Sequence, residues 1–203
     1  MLTIAIQAGG QSRRMKRDKG LVPLDGLPMI EHLLERVRPL GDEVLITTNQ
    51  PESYAYLGLR MVADEVPGEG ALAGLHTALK AARGDTVLVL ACDMPFVNVP
   101  LLGYLLDLSP DFDVVVPRWQ DVLQTIHAVY SRQYCLPAVE EVLKRGRKRV
   151  FSFYSQVRVR EISEDEIVRF DPQGLSFFNV NTPEELQEAE WMIKTQNPGS
   201  PEI

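Results

Sequence analysis

The chain has 203 residues, 45% of them apolar, and carries 21 Lys and Arg against 28 Asp and Glu for a net charge of −7. This length and apolar content suit one domain with a real core, and no stretch approaches the roughly 18 consecutive apolar residues of a membrane span. The acidic balance argues against a general nucleic-acid binder, which needs a net basic surface to displace phosphate counterions.

Leu2 to Gln7 (LTIAIQ) reads as a short buried strand. It has no basic leader and is too short for an export signal, so a cytoplasmic protein is expected. Met29 to Arg38 puts Ile30, Leu33, Leu34 and Val37 on one helical face. Glu43 to Thr48 is a second strand and Arg60 to Ala63 a short third. Leu72, Leu75 and Leu79 mark a helix in ALAGLHTALKAA, and Thr86 to Ala91 is an apolar strand that ends at Cys92-Asp93. Pro100 suits the first position of a helix whose Leu101, Leu102, Leu105 and Leu106 face inward. Asp113 to Pro117 is another strand. Continuously apolar strands alternating with helices predict an α/β fold, a three-layer doubly wound, mostly parallel sheet covered on both faces.

The last third reads as a strand at Thr125 to Tyr130, a helix at Tyr134 to Arg145, a strand at Val157 to Ile162 and a closing helix at Pro183 to Lys194 with Thr182 as its N-cap. These extend the same sheet, with an antiparallel edge strand expected. Residues 196–203, with two prolines and no apolar period, read as a disordered tail, leaving 1–195 as one domain. Cys92 and Cys135 form no metal-binding spacing and are expected as buried free thiols. His32 and His76 have no second ligand one helical turn away, and His127 is expected to serve in packing.

Charge is concentrated in one place. QAGGQSRRMKRDKG, residues 7–20, holds Arg13, Arg14, Lys16, Arg17 and Lys19 with Asp18 as the single acid, so residues 13–19 carry +4 and the rest of the chain −11. Gly9 and Gly10 follow the first strand, where ligands of open parallel sheets lie, and glycines there let backbone N–H groups approach a phosphate. The letters match neither GxGxxG nor the Gly-Lys-Ser/Thr of a P-loop.

AGGQSRRM followed by DKG resembles the nucleotidyltransferase signature of sugar-nucleotide pyrophosphorylases and their cofactor-making relatives. Within that superfamily the chain most resembles the molybdenum cofactor guanylyltransferases, through GALAGL (70–75), ACDMPF (91–96), TIHAVY (125–130), GRKRVFSF (146–153) and FFNVNTPEEL (177–186). The matches run in order over nearly the whole chain. The family usually has Leu at the position of Gln7, Gly at that of Lys16 and Pro at that of Ala71.

The resemblance implies a Rossmann-like nucleotidyltransferase fold with a nucleotide-binding half (about 1–98) and an acceptor-binding half (about 99–195). It implies Mg²⁺-dependent transfer of GMP from GTP to the terminal phosphate of molybdopterin, with release of pyrophosphate. All the reacting groups are anions, so charge neutralisation and in-line positioning carry the reaction. Lys19 would hold the triphosphate, with Arg14 as a second phosphate contact, while Arg13, Lys16 and Arg17 steer anions or are plain solvated side chains. Asp93 would hold Mg²⁺, which prefers oxygen ligands. Gln7, Ala8, Gly9 and Gly10 would meet guanine and phosphate through backbone groups. Asp64 would lie near base and ribose, with a turn acid as the alternative. Asn49 is a nucleotide contact or a turn residue, and Gly74 gives close approach to ribose or is a packing glycine. Asn179 and Asn181 would read the acceptor, with Thr182 and Pro183 structural.

A second basic run, Lys144, Arg145, Arg147, Lys148 and Arg149, would receive the pterin phosphate or a partner enzyme, or is a solvated helix end. The expected partners are GTP, molybdopterin and, transiently, a cofactor-inserting enzyme or an acceptor oxidoreductase, with no nucleic acid and no membrane. A monomer is expected. The alternatives are a related transferase using CTP or another phosphate acceptor, and a noncatalytic carrier of a nucleotide cofactor.

Overall fold

A computed structural model describes residues 1–8, 18–64 and 70–196. Strand β1 (Leu2–Gln7) is followed by a hairpin of β2 (Pro23–Leu24) and β3 (Leu27–Pro28), then α1 (Met29–Val37), β4 (Glu43–Thr47), α2 (Pro51–Tyr54) and β5 (Arg60–Val62). Next come α3 (Ala71–Ala81), β6 (Thr86–Ala91), α4 (Val99–Leu108), β7 (Val114–Trp119), β8 (Val122–Leu123) and β9 (His127–Ser131). The chain continues with α5 (Arg132–Lys144), β10 (Val159–Ile162), α6 (Glu164–Ile167) and α7 (Pro183–Gln196).

The main sheet has the order β10-β7-β9-β6-β1-β4-β5, with β8 paired to β7 beside it. β1 lies parallel between β4 and β6, as apolar strands joined by crossover helices require. Alternate side chains serve opposite faces. Ile4, Ile6, Leu88 and Leu90 meet α1 and α4 on one side, while Ala5, Val87 and Val89 meet α3 and α5 on the other. The predicted three-layer, mostly parallel α/β sheet is therefore present.

The antiparallel component is β8 against β7 and, within the sheet, β9 between β6 and β7. That reversal matters for the site. With His127 opposite Leu90, the start of β9 lies beside the end of β6.

Helix starts follow side-chain chemistry. α4 begins one residue before the expected Pro100, because the Asn98 side chain caps it by accepting from the Leu101 amide at 2.9 Å. α5 starts at Arg132, two residues before its expected start. The β2–β3 hairpin, α2, α6 and a 3-10 segment at Val150–Gln156 are too short to leave a periodic signal and were not expected. α7 runs to Gln196, and the rest of the expected tail lies outside the described residues.

A third cluster lies apart from the two sheet faces. Leu24, Met29, Val180 and Ala189 are fully buried together, with Leu186, Met192 and Ile193 packed against them. This cluster docks α7 and the segment before it onto the hairpin that follows Lys19. Leu24→Ala, which opens a void in a small cluster, is expected to cost about 2–5 kcal/mol of unfolding free energy. Denaturant titration measures it, and a loss below about 1 kcal/mol would show that the cluster does not hold the two segments together.

Candidate functional site

The C-terminal ends of β1, β4, β5 and β6 share one end of the sheet, where the ligand crevices of open α/β sheets form. The β1–β6 pairing continues past β6, since the Cys92 amide donates to the Gln7 carbonyl at 3.1 Å. A turn follows, with the Met94 amide on the Ala91 carbonyl, and it presents Asp93 at the mouth of the crevice. The Lys19 ammonium lies 2.8 Å from Asp93 Oδ2 and also donates to Asn181 Oδ1. The Lys19 and Asp93 side chains are 21% and 15% exposed, open enough to meet a ligand yet shielded enough for their charges to matter.

Each of the three partners is held by its own local structure. Lys19 opens a 3-10 turn capped by Asp18. The segment carrying Asn181 is tied to the end of β6 by the Val180 amide, which donates to the Asp93 carbonyl at 2.9 Å. Thr182 caps α7 as expected, accepting from the Glu185 amide at 3.2 Å. The Glu185 carboxylate in turn accepts from the Asn181 and Thr182 amides at 2.6 and 2.9 Å. NTPEE is thus a reciprocal capping box that fixes the Asn181 backbone.

A cavity of about 250 Å³ opens beside the ion pair, lined by Gln7, Lys19, Cys92, Asp93, Ile126 and Asn179 among others. Ile126 reaches it because β9 is reversed. Gln7 Nε2 is buried there with no hydrogen-bond partner among the described residues. Gly74 stands against this amide, and a Cβ at Gly74 would come within 3.1 Å of Gln7 Oε1. Its close approach is therefore to Gln7.

Ala8 is buried, and its amide donates to the Thr47 carbonyl at 2.9 Å, which leaves only its carbonyl for a ligand. Asn49 and Asp64 come together beyond β4 and β5, with the Asp64 amide donating to Asn49 Oδ1 at 3.0 Å. Asp64 Oδ1 is buried without a hydrogen-bond partner among the described residues. Gly9, Gly10 and Arg14, with Arg13, Lys16 and Arg17, lie outside the described residues. In the second basic run, Arg145 pairs with Glu141 one helical turn back, and Arg149 sits over the Phe151 ring at 5.9 Å.

A second cavity, of about 380 Å³, is lined by Trp119, Gln124, Leu175, Phe177 and Phe178, and shares Asn179 with the first. The buried Asp171 carboxylate shapes it by accepting from the Leu175 and Ser176 amides at 3.0 and 2.7 Å. Trp119 and Gln124 gave no signal in sequence, since neither belongs to a strand end that the apolar pattern marks. Asp18 did carry one, as an N-cap type before a short turn.

Both cysteines are buried free thiols, as expected. His32 Nε2 meets the Leu24 carbonyl at 2.6 Å, and His76 Nε2 lies 3.5 Å from Glu140. His127 is fully buried, edge-on to Phe177 with 5.1 Å between ring centroids, and neither ring nitrogen has a hydrogen-bond partner among the described residues. Burial pushes its pKa down to about 4, with the Asp171 charge opposing weakly.

A family model described as "MobA-like NTP transferase domain" matches residues 4–159. The chain belongs to this family. It is 39% identical to the "Probable molybdenum cofactor guanylyltransferase" of Pelotomaculum thermopropionicum over 97% of the chain and 96% of that relative. It is 35% identical to the "Molybdenum cofactor guanylyltransferase" of Desulfosudis oleivorans over 95% of the chain and 96% of that relative. Among solved structures, molybdopterin-guanine dinucleotide biosynthesis protein A from Archaeoglobus fulgidus superposes with a TM-score of 0.81 at 26% identity, covering 95% of this chain and 99% of that one. Family and fold together make the chain a nucleotidyltransferase-type enzyme of the molybdenum cofactor guanylyltransferase group. No helix among the described residues is long and apolar enough to cross a membrane.

A neutral His127 makes stability depend on pH. Its folded pKa lies below the ordinary value of 6.5, so its unfavourable protonation in the folded state erodes stability as pH falls from 6.5 through about 4. His127→Leu is expected to flatten the fall in denaturant midpoint over that window relative to the parent chain. Parallel curves for the two proteins would contradict this.

Proposed function

We propose that this enzyme transfers GMP from GTP to the terminal phosphate of molybdopterin, with or without its metal, forming the guanine dinucleotide and pyrophosphate. The observation that carries the reading is the Lys19 ammonium, bonded at once to Asp93 and Asn181 beside a cavity that shares Asn179 with a second, aromatic-walled one. Asp93 lies at the end of the nucleotide-binding half, whereas Asn179 and Asn181 belong to the acceptor-binding half. A fixed cation between two anionic substrates is what this reaction requires.

In this reading the GTP phosphates lie against Lys19 and the basic sequence that includes Gly9, Gly10 and Arg14. The nucleoside lies toward Gln7, Ala8, Asn49, Asp64 and Gly74. The acceptor occupies the aromatic-walled cavity, with its phosphate toward Asn179 and Asn181. An oxygen of that phosphate attacks the α-phosphorus, the bond to the α–β bridging oxygen breaks, and pyrophosphate leaves with the electron pair. Lys19 stabilises the charge that gathers on the α-phosphoryl and the leaving group. The amide of Asn181 steadies the ammonium, and burial beneath the crevice keeps the Cys92 thiol protonated and out of the chemistry.

Among the described residues no three His, Cys, Asp or Glu side chains gather as a resident metal site. A single carboxylate, Asp93, beside an amide oxygen suits Mg²⁺ that arrives with a nucleotide, since this ion keeps waters and phosphate oxygens as its other ligands. Asp93 and the phosphates would hold it, and it would supply charge neutralisation on the triphosphate.

Pyrophosphate release, followed with GTP or CTP in the presence of molybdopterin and Mg²⁺, tests the proposal. GTP is expected to support turnover and CTP to do so poorly; a preference for CTP would reassign the enzyme within the superfamily. Lys19→Ala and Asp93→Asn are each expected to lower kcat/KM by about 10²–10³-fold while the unfolding midpoint stays near that of the parent. Turnover retained in Asp93→Asn would remove the metal assignment.

A further inference from the structure

Tyr54, the last residue of α2, meets the Lys19 turn from a separate element. Its ring is fully buried, and its hydroxyl donates to Asp18 Oδ1 across 36 positions of sequence. The same oxygen accepts from the Gly20 amide at 3.2 Å. One carboxylate oxygen therefore ties together the residues on either side of Lys19 and a phenol from a separate element.

Gly20 is shaped to this contact. A Cβ there would lie 2.6 Å from the Tyr54 hydroxyl oxygen and 3.2 Å from Cys92 Sγ, so any larger residue would push the phenol off Asp18. The three letters DKG thus divide their work: Asp18 receives the anchor, Lys19 presents the ammonium, and Gly20 leaves room for the anchor to reach. Burial, with the neighbouring Asp18 charge, drives the phenol pKa far above its ordinary value, so Tyr54 stays a hydrogen-bond donor wherever the protein is folded.

We infer that Tyr54 is a positioning residue for nucleotidyl transfer, its hydroxyl holding Asp18 and thereby aiming the Lys19 ammonium at Asp93 and Asn181. Tyr54 does not itself line the cavity beside Lys19. Its effect on the reaction passes through the turn. The inference rests on the function proposed above only for its catalytic part, because the anchoring itself is a property of the fold.

Tyr54→Phe removes one oxygen and keeps the buried ring. Two measurements test it. First, amide hydrogen exchange of Gly20, Leu21 and Val22, whose N–H groups bond to Asp18 and Lys19, is expected to accelerate by about tenfold or more in the variant, with the central strands unchanged. Unchanged exchange in the turn, or equal acceleration throughout the sheet, would overturn the anchoring role. Second, a double-mutant cycle reads transfer: Tyr54→Phe alone is expected to lower kcat/KM by about 10- to 100-fold. In a Lys19→Ala background it is expected to change it less than about twofold, because the residue it aims is gone. Additive losses would make Tyr54 an independent contributor and overturn the inference. If the parent chain transfers no nucleotide, the proposed function fails and the catalytic part falls with it, while the exchange measurement still decides whether Tyr54 anchors the turn.

Discussion

The Lys19–Asp93 ion pair, closed by Asn181, is the contact on which the site depends. It joins residues 74 and 162 positions apart, so it exists only if the first turn, the end of β6 and the entry to α7 all arrive at one place. As a source of stability it is minor, since partly exposed ion pairs contribute on the order of 1 kcal/mol or less. Its value is electrostatic readiness. Asp93 and Asn181 hold a cation in position before any anion binds, and a site already organised need not rearrange when charge develops.

Several unrelated pieces of physics converge to keep that contact. The parallel β1–β6 pairing sets Asp93 beside Gln7, and the reversed β9 brings Ile126 to the same end of the sheet. The small cluster around Leu24 and Val180 presses the hairpin after Lys19 onto α7, while the Thr182–Glu185 capping box fixes the backbone next to Asn181. Hydrophobic burial, sheet register and helix capping thus each position one member of a polar trio. Buried apolar clusters supply the free energy, and the polar groups supply direction.

Much of this was legible in sequence because it follows local rules. Apolar runs such as LTIAIQ and TVLVLA mark central strands, and the spacing of Ile30, Leu33 and Val37 marks α1, because burial on one face imposes a period. Lys19 and Asp93 stand out by position, one closing a basic run of sequence and the other following an apolar strand. Less visible were features that depend on tertiary meeting. The interior place of β9 follows from pairing with β6 and β7, which no local pattern encodes. Tyr54 belongs to a four-residue helix with no periodicity to read, and Gly74 proved to face the Gln7 amide, a contact set by how α3 packs on β1.

The most direct measurement is a calorimetric titration of the parent chain and of Lys19→Ala with the magnesium salts of GTP, CTP, ATP and UTP. Selective GTP binding is expected of the parent, with affinity weaker by about tenfold or more in Lys19→Ala, since a charge-assisted contact to a phosphate contributes roughly 1.5–3 kcal/mol. Equal binding of GTP by both proteins would contradict this, because the ammonium at the centre of the trio would then meet no phosphate.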